Sequence, residues 1–218
     1  MNNLTKRILT AIIIFPVSMF FIVKGGSYIV SFLYAILILG NFEVFSAFKK
    51  KTSIIFLDII LVMALLFILF LRNDTVSSYI LLIWSILVTI FSDVGGYIFG
   101  KFFKWKKLTK ISPNKTISGV LGSFLFSLLT VFILAFILKI YSGLETDYII
   151  KPRYFIFAFL FSLAAQIGDL TISYLKRLEK IKDTGKILPG HGGIFDRIDG
   201  LMFVVILAYI LYYLKLFP

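Results

Sequence analysis

The 218-residue sequence contains no cysteine, a single histidine and only 11 acidic residues. Without cysteine the chain can form no disulfide framework, no thiolate metal site and no cysteine nucleophile. One histidine allows no cluster of imidazole ligands, which argues against a zinc site. Charged residues make up 16% of the chain and hydrophobic residues 60%, whereas soluble domains are about 45–50% apolar. A water-soluble globular protein and a disordered chain are therefore both excluded.

Long uncharged stretches predict transmembrane helices. Several are shorter than the ~20 residues that a bilayer requires, so they must extend into their flanks. The third stretch can form a transmembrane helix only if Asp58 lies at the end of that helix or faces protein instead of lipid. The first is interpreted as a span rather than a signal peptide, because no small-x-small cleavage site follows it. The seven stretches are Ile8–Val23, Gly25–Phe42, Ile59–Leu71, Thr75–Ser92, Thr116–Leu138, Tyr154–Gly168 and Gly200–Leu214.

The predicted fold is an all-α polytopic membrane protein of about seven transmembrane helices, whose cytoplasmic loops form the active site. We expect one membrane domain over residues 1–218, with N-terminal spans that carry no motif (1–90), a catalytic region (91–201) and a last span (200–218). With seven crossings, 17 of the 23 Lys and Arg residues fall on the side of the N-terminus. The positive-inside rule then places the N-terminus in the cytoplasm and the C-terminus outside.

The net charge of +12 does not indicate nucleic-acid binding, because the basic residues flank membrane spans and no nucleic-acid motif is present.

Acidic residues collect at the cytoplasmic ends of three predicted spans. Asp93 closes the fourth stretch, Asp169 closes the sixth, and Asp196 and Asp199 precede the seventh. Any single one of them could be a solvated boundary residue. Four carboxylates beside the two most basic loops instead favour an oxygen-rich site for a hard cation such as Mg²⁺, which also binds substrate phosphates.

The end of the sixth span carries a patterned polar face. Asp169, Ser173 and Lys176 follow at helical spacing, with Arg177 beside them, so a carboxylate, a hydroxyl and cations share one face. This order suits a metal ion next to a phosphate, although a solvated helix end with snorkelling cations is the alternative.

The next segment, 182–193, holds four glycines and one proline and must be a loop. Its glycines, including Gly192 and Gly193, would let the backbone approach a ligand. His191 is interpreted as a phosphate hydrogen-bond donor or a loop-structuring group rather than a lone general base. Arg197 lies between Asp196 and Asp199.

A second basic loop follows the fourth span. Six lysines lie between Gly100 and Thr116, and much of this charge can be explained as an anchor to anionic lipid. The sequence from Ser112 to Thr116 is more specific, because Lys115 and Thr116 would stand at a helix N-terminus and form an anion site. No P-loop pattern is present.

These segments resemble the signature of phosphatidate cytidylyltransferases. The similarity extends over roughly Phe91 to Leu201, and it departs from the family at Ser118, where the family often has glutamate. The matching residues are Ser173-x-x-Lys176-Arg177-x₄-Lys182-Asp183-x-Gly185-x-x-Leu188-Pro189-x-His191-Gly192-Gly193-x-x-Asp196-Arg197-x-Asp199, Ser92-Asp93-x-Gly95-x-Tyr97-x-x-Gly100-Lys101 and Ile111-Ser112-Pro113-x-Lys115-Thr116-x-x-Gly119.

The resemblance implies that CTP and phosphatidate react to CDP-diacylglycerol and diphosphate at a bacterial inner membrane. It implies Mg²⁺, with or without a second cation, membrane lipid as surroundings and a homodimer. The roles expected from it are metal binding by Asp93, Asp169, Asp196 and Asp199, catalysis by Ser173, Lys176, Arg177, His191 and Arg197, and substrate binding by Lys101, Ser112, Lys115, Thr116, Gly192 and Gly193.

Two other enzyme activities stay open at this point, namely a CTP-dependent lipid kinase and a cytidylyltransferase acting on another lipid phosphate. A membrane transporter is the alternative from a different class. It is disfavoured because the polar residues gather at one face, whereas transport sites lie near the midplane of the membrane.

Overall fold

The computed structural model describes residues 3–109, 111–142, 150–188 and 192–217, with side chains in the first helix from Ile12 onward. Within these residues the chain forms seven helices and two isolated β-bridges. Each of the seven apolar stretches lies on one helix, allowing for capping residues, so the prediction of an all-α polytopic protein is confirmed. The helices are α1 (Asn3–Lys24), α2 (Gly26–Ala47), α3 (Lys51–Asn73), α4 (Val76–Phe103), α5 (Ile117–Ser142), α6 (Pro152–Leu178) and α7 (Phe195–Tyr213).

Five of the helices, α2 to α6, are long and apolar enough to cross a membrane, judged by length and composition over the described residues. The described apolar part of α1, Ile12–Lys24, is shorter, and α7 begins with a cluster of charged residues. Large apolar side chains such as Phe45, Phe70 and Phe136 are exposed on the outside of the bundle, as a hydrocarbon solvent requires. The chain is an integral membrane protein, and the number of seven crossings stays a prediction.

The helices continue further past the apolar stretches than the charge pattern suggests. Helix α3 begins at Lys51, so Asp58 lies inside it and is half-buried rather than at its end. Helix α4 runs on to Phe103 and α6 to Leu178. Asp93 and Asp169 therefore project from continuous helices, which fixes the direction of each side chain more firmly than a loop would.

Glycine permits the close approach of α4 and α5 that brings two parts of the site together. A Cβ atom added at Gly95 would run into the carbonyl oxygen of Gly122, and one added at Gly122 would lie 2.5 Å from the carbonyl oxygen of Gly95. Small residues are typical of membrane helices whose backbones touch. This contact holds Asp93 of α4 beside the loop that leads into α5.

Replacing Gly95 by alanine is expected to lower the stability of the protein in detergent by about 1–3 kcal/mol, because the added methyl group must push the two helices apart. Thermal unfolding of the purified protein measures the effect. Gly100→Ala is the matched variant in the same interface, because its Cβ would lie 3.1 Å from the Thr116 hydroxyl oxygen and 3.8 Å from the Cα of Gly119, with no contact as close as those at Gly95. Equal melting temperatures for the two variants would contradict the close-packing argument.

Candidate active site

A polar cavity of about 480 Å³ opens between α4, the start of α5, α6 and α7. It combines acidic and basic side chains from four separate segments of the chain. Six residues singled out from the sequence line it, namely Asp93, Ser112, Lys115, Thr116, Asp169 and Arg197. The structure thus brings the loop before α5 and the ends of three predicted spans to one place, whereas no described residue of the 182–193 loop lines this cavity.

The loop before α5 is shaped by its own backbone. Leu108 N–H donates to the Lys115 carbonyl at 2.8 Å and Ile117 N–H donates to the Lys106 carbonyl at 3.0 Å, which gives a short antiparallel pairing. The Thr116 hydroxyl accepts a hydrogen bond from Gly119 N–H at 3.1 Å and caps α5. Lys115 extends into the cavity, where its Nζ lies 2.5 Å from Oδ2 of Asp169.

Three carboxylates from three helices are close enough to interact. Asp169 accepts a hydrogen bond from the Ser173 hydroxyl at 3.2 Å, one helical turn further along α6. The charge of Asp93 interacts with those of Asp169, Lys115 and Arg197, and Asp199 interacts with Asp169 and Asp93. Because like charges repel, nearby positive charge is needed to hold these carboxylates together, and Lys115 and Arg197 supply part of it.

The donor set suits a magnesium ion that is shared with a substrate. Among the described residues no three acidic, histidine or cysteine side chains form a complete cage for a metal ion. Mg²⁺ does not need one, since it is usually held by one or two carboxylates together with water and substrate phosphates. Asp93 and Asp169 line the cavity and present that number of carboxylates.

Asp196 has a different environment from the other carboxylates. It is 9% exposed, and its Oδ1 accepts from Lys176 Nζ at 2.8 Å. Its Oδ2 accepts from the backbone N–H groups of Thr184 at 2.8 Å and Gly193 at 2.9 Å. Neither Asp196 nor Lys176 is among the residues that line the cavity, and this buried pair ties the 182–193 loop to α6. Metal binding by Asp196 and catalysis by Lys176 stay predictions.

The remaining predicted residues lie around the cavity rather than in its wall. Arg177 donates from Nη1 to the Ile181 carbonyl at 2.8 Å and from Nε to the Ile111 carbonyl at 3.4 Å, and so joins the end of α6 to the loop before α5. Lys101 is exposed, with its Nζ 5.7 Å from the centre of the Tyr97 ring. The Ser173 hydroxyl is engaged with Asp169.

The two glycines make room for carboxylates instead of reaching the cavity. Gly192 has φ of 86°, and a Cβ there would lie 2.7 Å from Oδ2 of Asp196. A Cβ at Gly193 would collide with the carboxylate of Glu43. The expectation that their backbone approaches a nucleotide stays a prediction, and His191 lies outside the described residues.

Glu43 is the residue that the sequence reasoning missed. It lies on α2, is 1% exposed, and accepts from Ile194 N–H at 2.9 Å, Phe195 N–H at 3.0 Å and the Thr184 hydroxyl at 3.3 Å. The N–H groups of Ile194 and Phe195 stand at the start of α7 and have no partner within the helix. A single acidic residue in an apolar helix, directly after the second uncharged stretch, is costly to bury and is the signal that could have found Glu43.

A network of hydrogen-bonded serine and glutamine side chains next to the cavity was also missed by the sequence reasoning. The Ser92 and Ser162 hydroxyls are 2.8 Å apart, Ser123 donates to the Ser92 carbonyl at 2.8 Å, and Gln166 Nε2 donates to the Ser162 hydroxyl at 3.3 Å. Ser123 and Gln166 also line the cavity. Gln166 stands one helical turn before Asp169 in the sequence, whereas Ser123 lies on α5 and meets α4 only through helix packing. Serine in apolar helices is too common to be informative alone.

The sequence of this chain is similar to those of known proteins. Residues 49–215 match the model of the cytidylyltransferase family. A phosphatidate cytidylyltransferase of Helicobacter pylori is 41% identical over 62% of this chain and 48% of its own length. Phosphatidate cytidylyltransferases of Rickettsia bellii and Rickettsia conorii are 32% and 33% identical over 98% and 96% of the chain, and 91% of each relative.

The chain spans about half the length of the Helicobacter pylori relative and nearly the whole of the two Rickettsia relatives. The family match covers most of the sequence, from the start of α3 to the end of α7, and includes every residue that lines the polar cavity. The chain therefore belongs to the cytidylyltransferase family.

Proposed function

We propose that this protein is a phosphatidate cytidylyltransferase, which joins CTP and phosphatidate to form CDP-diacylglycerol and diphosphate. The observation that carries the proposal is that Asp93, Asp169, Lys115 and Arg197 all line one polar cavity. Carboxylates for a metal ion and cations for phosphates are thereby held within reach of one another. The names of the relatives supply the substrates.

The chemistry suits a site without a strong base. A phosphate monoester has a second pKa near ~6, so an oxygen of phosphatidate is already an anionic nucleophile at neutral pH. It attacks the α-phosphorus of CTP, the bond from that phosphorus to the bridging oxygen breaks, and diphosphate leaves with the electron pair. The difficulty lies in bringing two polyanions together and stabilising the leaving group, which is a task for positioned positive charge.

Each part of the site has a role in that task. Asp93 and Asp169 would hold Mg²⁺, with Asp199 as a third nearby carboxylate, and when bound this ion neutralises phosphate charge. Lys115 and Arg197 line the cavity and contact phosphates, with Ser112 and Thr116 beside them. The buried Lys176–Asp196 pair, together with Arg177 and Ser173, orients the segments that carry these groups. The second cation implied by the family resemblance stays a prediction.

The location follows from the substrates and from the charge distribution. The cavity end of the bundle holds the basic loops that the positive-inside rule assigns to the cytoplasm, where CTP is found, while phosphatidate lies in the leaflet. We therefore place the N-terminus and the cavity on the cytoplasmic side of a bacterial inner membrane. The homodimer implied by the family resemblance stays a prediction.

Labelled nucleotide tests the proposal directly. The purified protein, given phosphatidate, Mg²⁺ and CTP labelled at the α-phosphate, is expected to produce lipid-soluble label. CTP labelled at the γ-phosphate is expected to give none, and neither label should enter the lipid when diacylglycerol replaces phosphatidate. Transfer of the γ-label would establish a lipid kinase instead, and the absence of lipid label from either nucleotide would overturn the proposal.

A further inference from the structure

A second cavity of about 520 Å³ lies directly against the polar one and shares Asp93 and Arg197 with it. Its walls come mainly from the N-terminal helices, which carry none of the sequence motifs. Helices α1, α2 and α3 contribute apolar side chains that include Met19, Ile36 and Ile68, and α4 and α7 contribute Ile86 and Leu201. One end of this apolar groove thus carries charged side chains, and the rest of its wall is formed mainly by apolar side chains.

The two hydroxyl groups in the groove are already satisfied by their own helices. Ser18 Oγ donates to the Ile14 carbonyl at 2.8 Å, and Thr89 Oγ1 donates to the Ser85 carbonyl at 2.8 Å. The described walls therefore offer a ligand only apolar surface until they reach Asp93 and Arg197. A polar molecule would lose its hydrogen bonds to water on entering, which disfavours it strongly.

The groove extends well away from the charged end. Along α4 it is lined from Asp93 back to Ile86, which is two helical turns and about 10 Å at 1.5 Å per residue. Phe15 of α1 and Val94 of α4 line it and are 52% and 43% exposed. Such exposure of apolar side chains in its walls indicates that the groove is not sealed inside the bundle.

We infer that this groove binds an acyl chain of the lipid substrate, with the lipid phosphate at the junction formed by Asp93 and Arg197. This inference rests on the proposed function and adds the lipid site to it. A diacyl lipid phosphate has the required polarity, since its anionic head can meet Arg197 while its chain follows the apolar wall. The N-terminal helices, which lack catalytic motifs, then serve to hold and align the substrate in the membrane.

Two isoleucines on α2 give a matched test. Ile36 lines the groove, whereas Ile38 is exposed on the outside of the same helix and is not part of the groove lining. Ile36→Trp is expected to lower kcat/KM for dipalmitoyl phosphatidate at least about tenfold relative to dihexanoyl phosphatidate. The larger indole would fill part of the groove and exclude methylene groups of a long acyl chain, whereas a short chain has few methylene groups to lose. Ile38→Trp should keep the wild-type ratio, and both variants should keep the KM for CTP. Equal chain-length profiles for the two variants would overturn the inference.

A second measurement uses the unaltered protein, in case Ile36→Trp fails to fold. Phosphatidate with a photoreactive diazirine near the end of one acyl chain is expected to label α1, α2 and α3, and excess unlabelled phosphatidate should suppress the labelling. Label confined to the outer face of α5, or label that phosphatidylcholine displaces as well as phosphatidate does, would overturn the inference. Groove labelling by a protein that transfers no cytidylyl group would instead refute the proposed function alone.

Discussion

Asp169→Asn is expected to lower cytidylyl transfer by about a hundredfold or more, a loss typical of removing one preorganised electrostatic contact, while the protein still inserts and folds. The Asp169 carboxylate lines the polar cavity and lies 2.5 Å from Lys115 Nζ. An amide preserves its shape and its contact with Ser173 but carries no charge for a metal ion. Label transfer from α-labelled CTP, measured across a range of Mg²⁺ concentrations, checks the prediction.

Asp74→Asn is the matched control for that experiment. Asp74 lies between α3 and α4, at the end of the bundle away from the cavity, where it accepts a hydrogen bond from the Tyr212 hydroxyl at 2.6 Å. The same chemical change there should leave turnover near the wild-type rate. Wild-type turnover by Asp169→Asn, with unchanged Mg²⁺ dependence, would remove Asp169 from the proposed metal site.

The membrane helices could be located from the sequence because uncharged stretches between charges are a strong signal, but their ends could not. Helix α3 continues through Asp58 to Lys51, and α4 continues through Asp93 to Phe103. A helix that leaves the hydrocarbon retains its backbone hydrogen bonds, so charged side chains need not end it. The charge pattern marks the start of the polar region rather than the last helical residue.

Local spacing predicted part of the site. Asp169 and Ser173 are four residues apart on a helix, and they form the hydrogen bond that this spacing allows. The pairing of Lys176 with Asp196 joins α6 to α7 across a loop, and no periodicity distinguishes it from the metal-binding role expected for Asp196. The partners of Asp196 depend on how separate helices pack, which local spacing does not specify.

Glu43 shows most clearly what could not be predicted from local sequence, because its hydrogen-bond partners lie some 150 positions further along the chain. Its stretch on α2 contains no motif, and the polar groups that it satisfies belong to the start of α7. A carboxylate at that place completes the first turn of the helix and complements the positive end of the helix dipole. The position of Asp196, Arg197 and Asp199 therefore depends on a residue outside the region that the sequence motifs define.

Glu43→Ala is accordingly expected to have the largest effect on stability. It would leave the N–H groups of Ile194, which is half-buried, and of Phe195, which is buried, without an acceptor, at up to about 1–3 kcal/mol for each. Glu43→Gln should recover little, because its amide nitrogen would face one of these donors. We expect a lower melting temperature in detergent and a loss of turnover for both variants, measured by thermal unfolding and by label transfer.

Glu179→Ala provides the matched control, since Glu179 also accepts a hydrogen bond from a backbone N–H group, that of Lys50 at 3.0 Å, but at an exposed position. Water replaces an exposed acceptor at little cost, so this variant should melt within a few degrees of the wild type, as its small free-energy change implies. If Glu43→Ala melted at the same temperature as Glu179→Ala, the start of α7 would not depend on α2. The arrangement of the cavity would then be set by the contacts among α4, α5, α6 and α7.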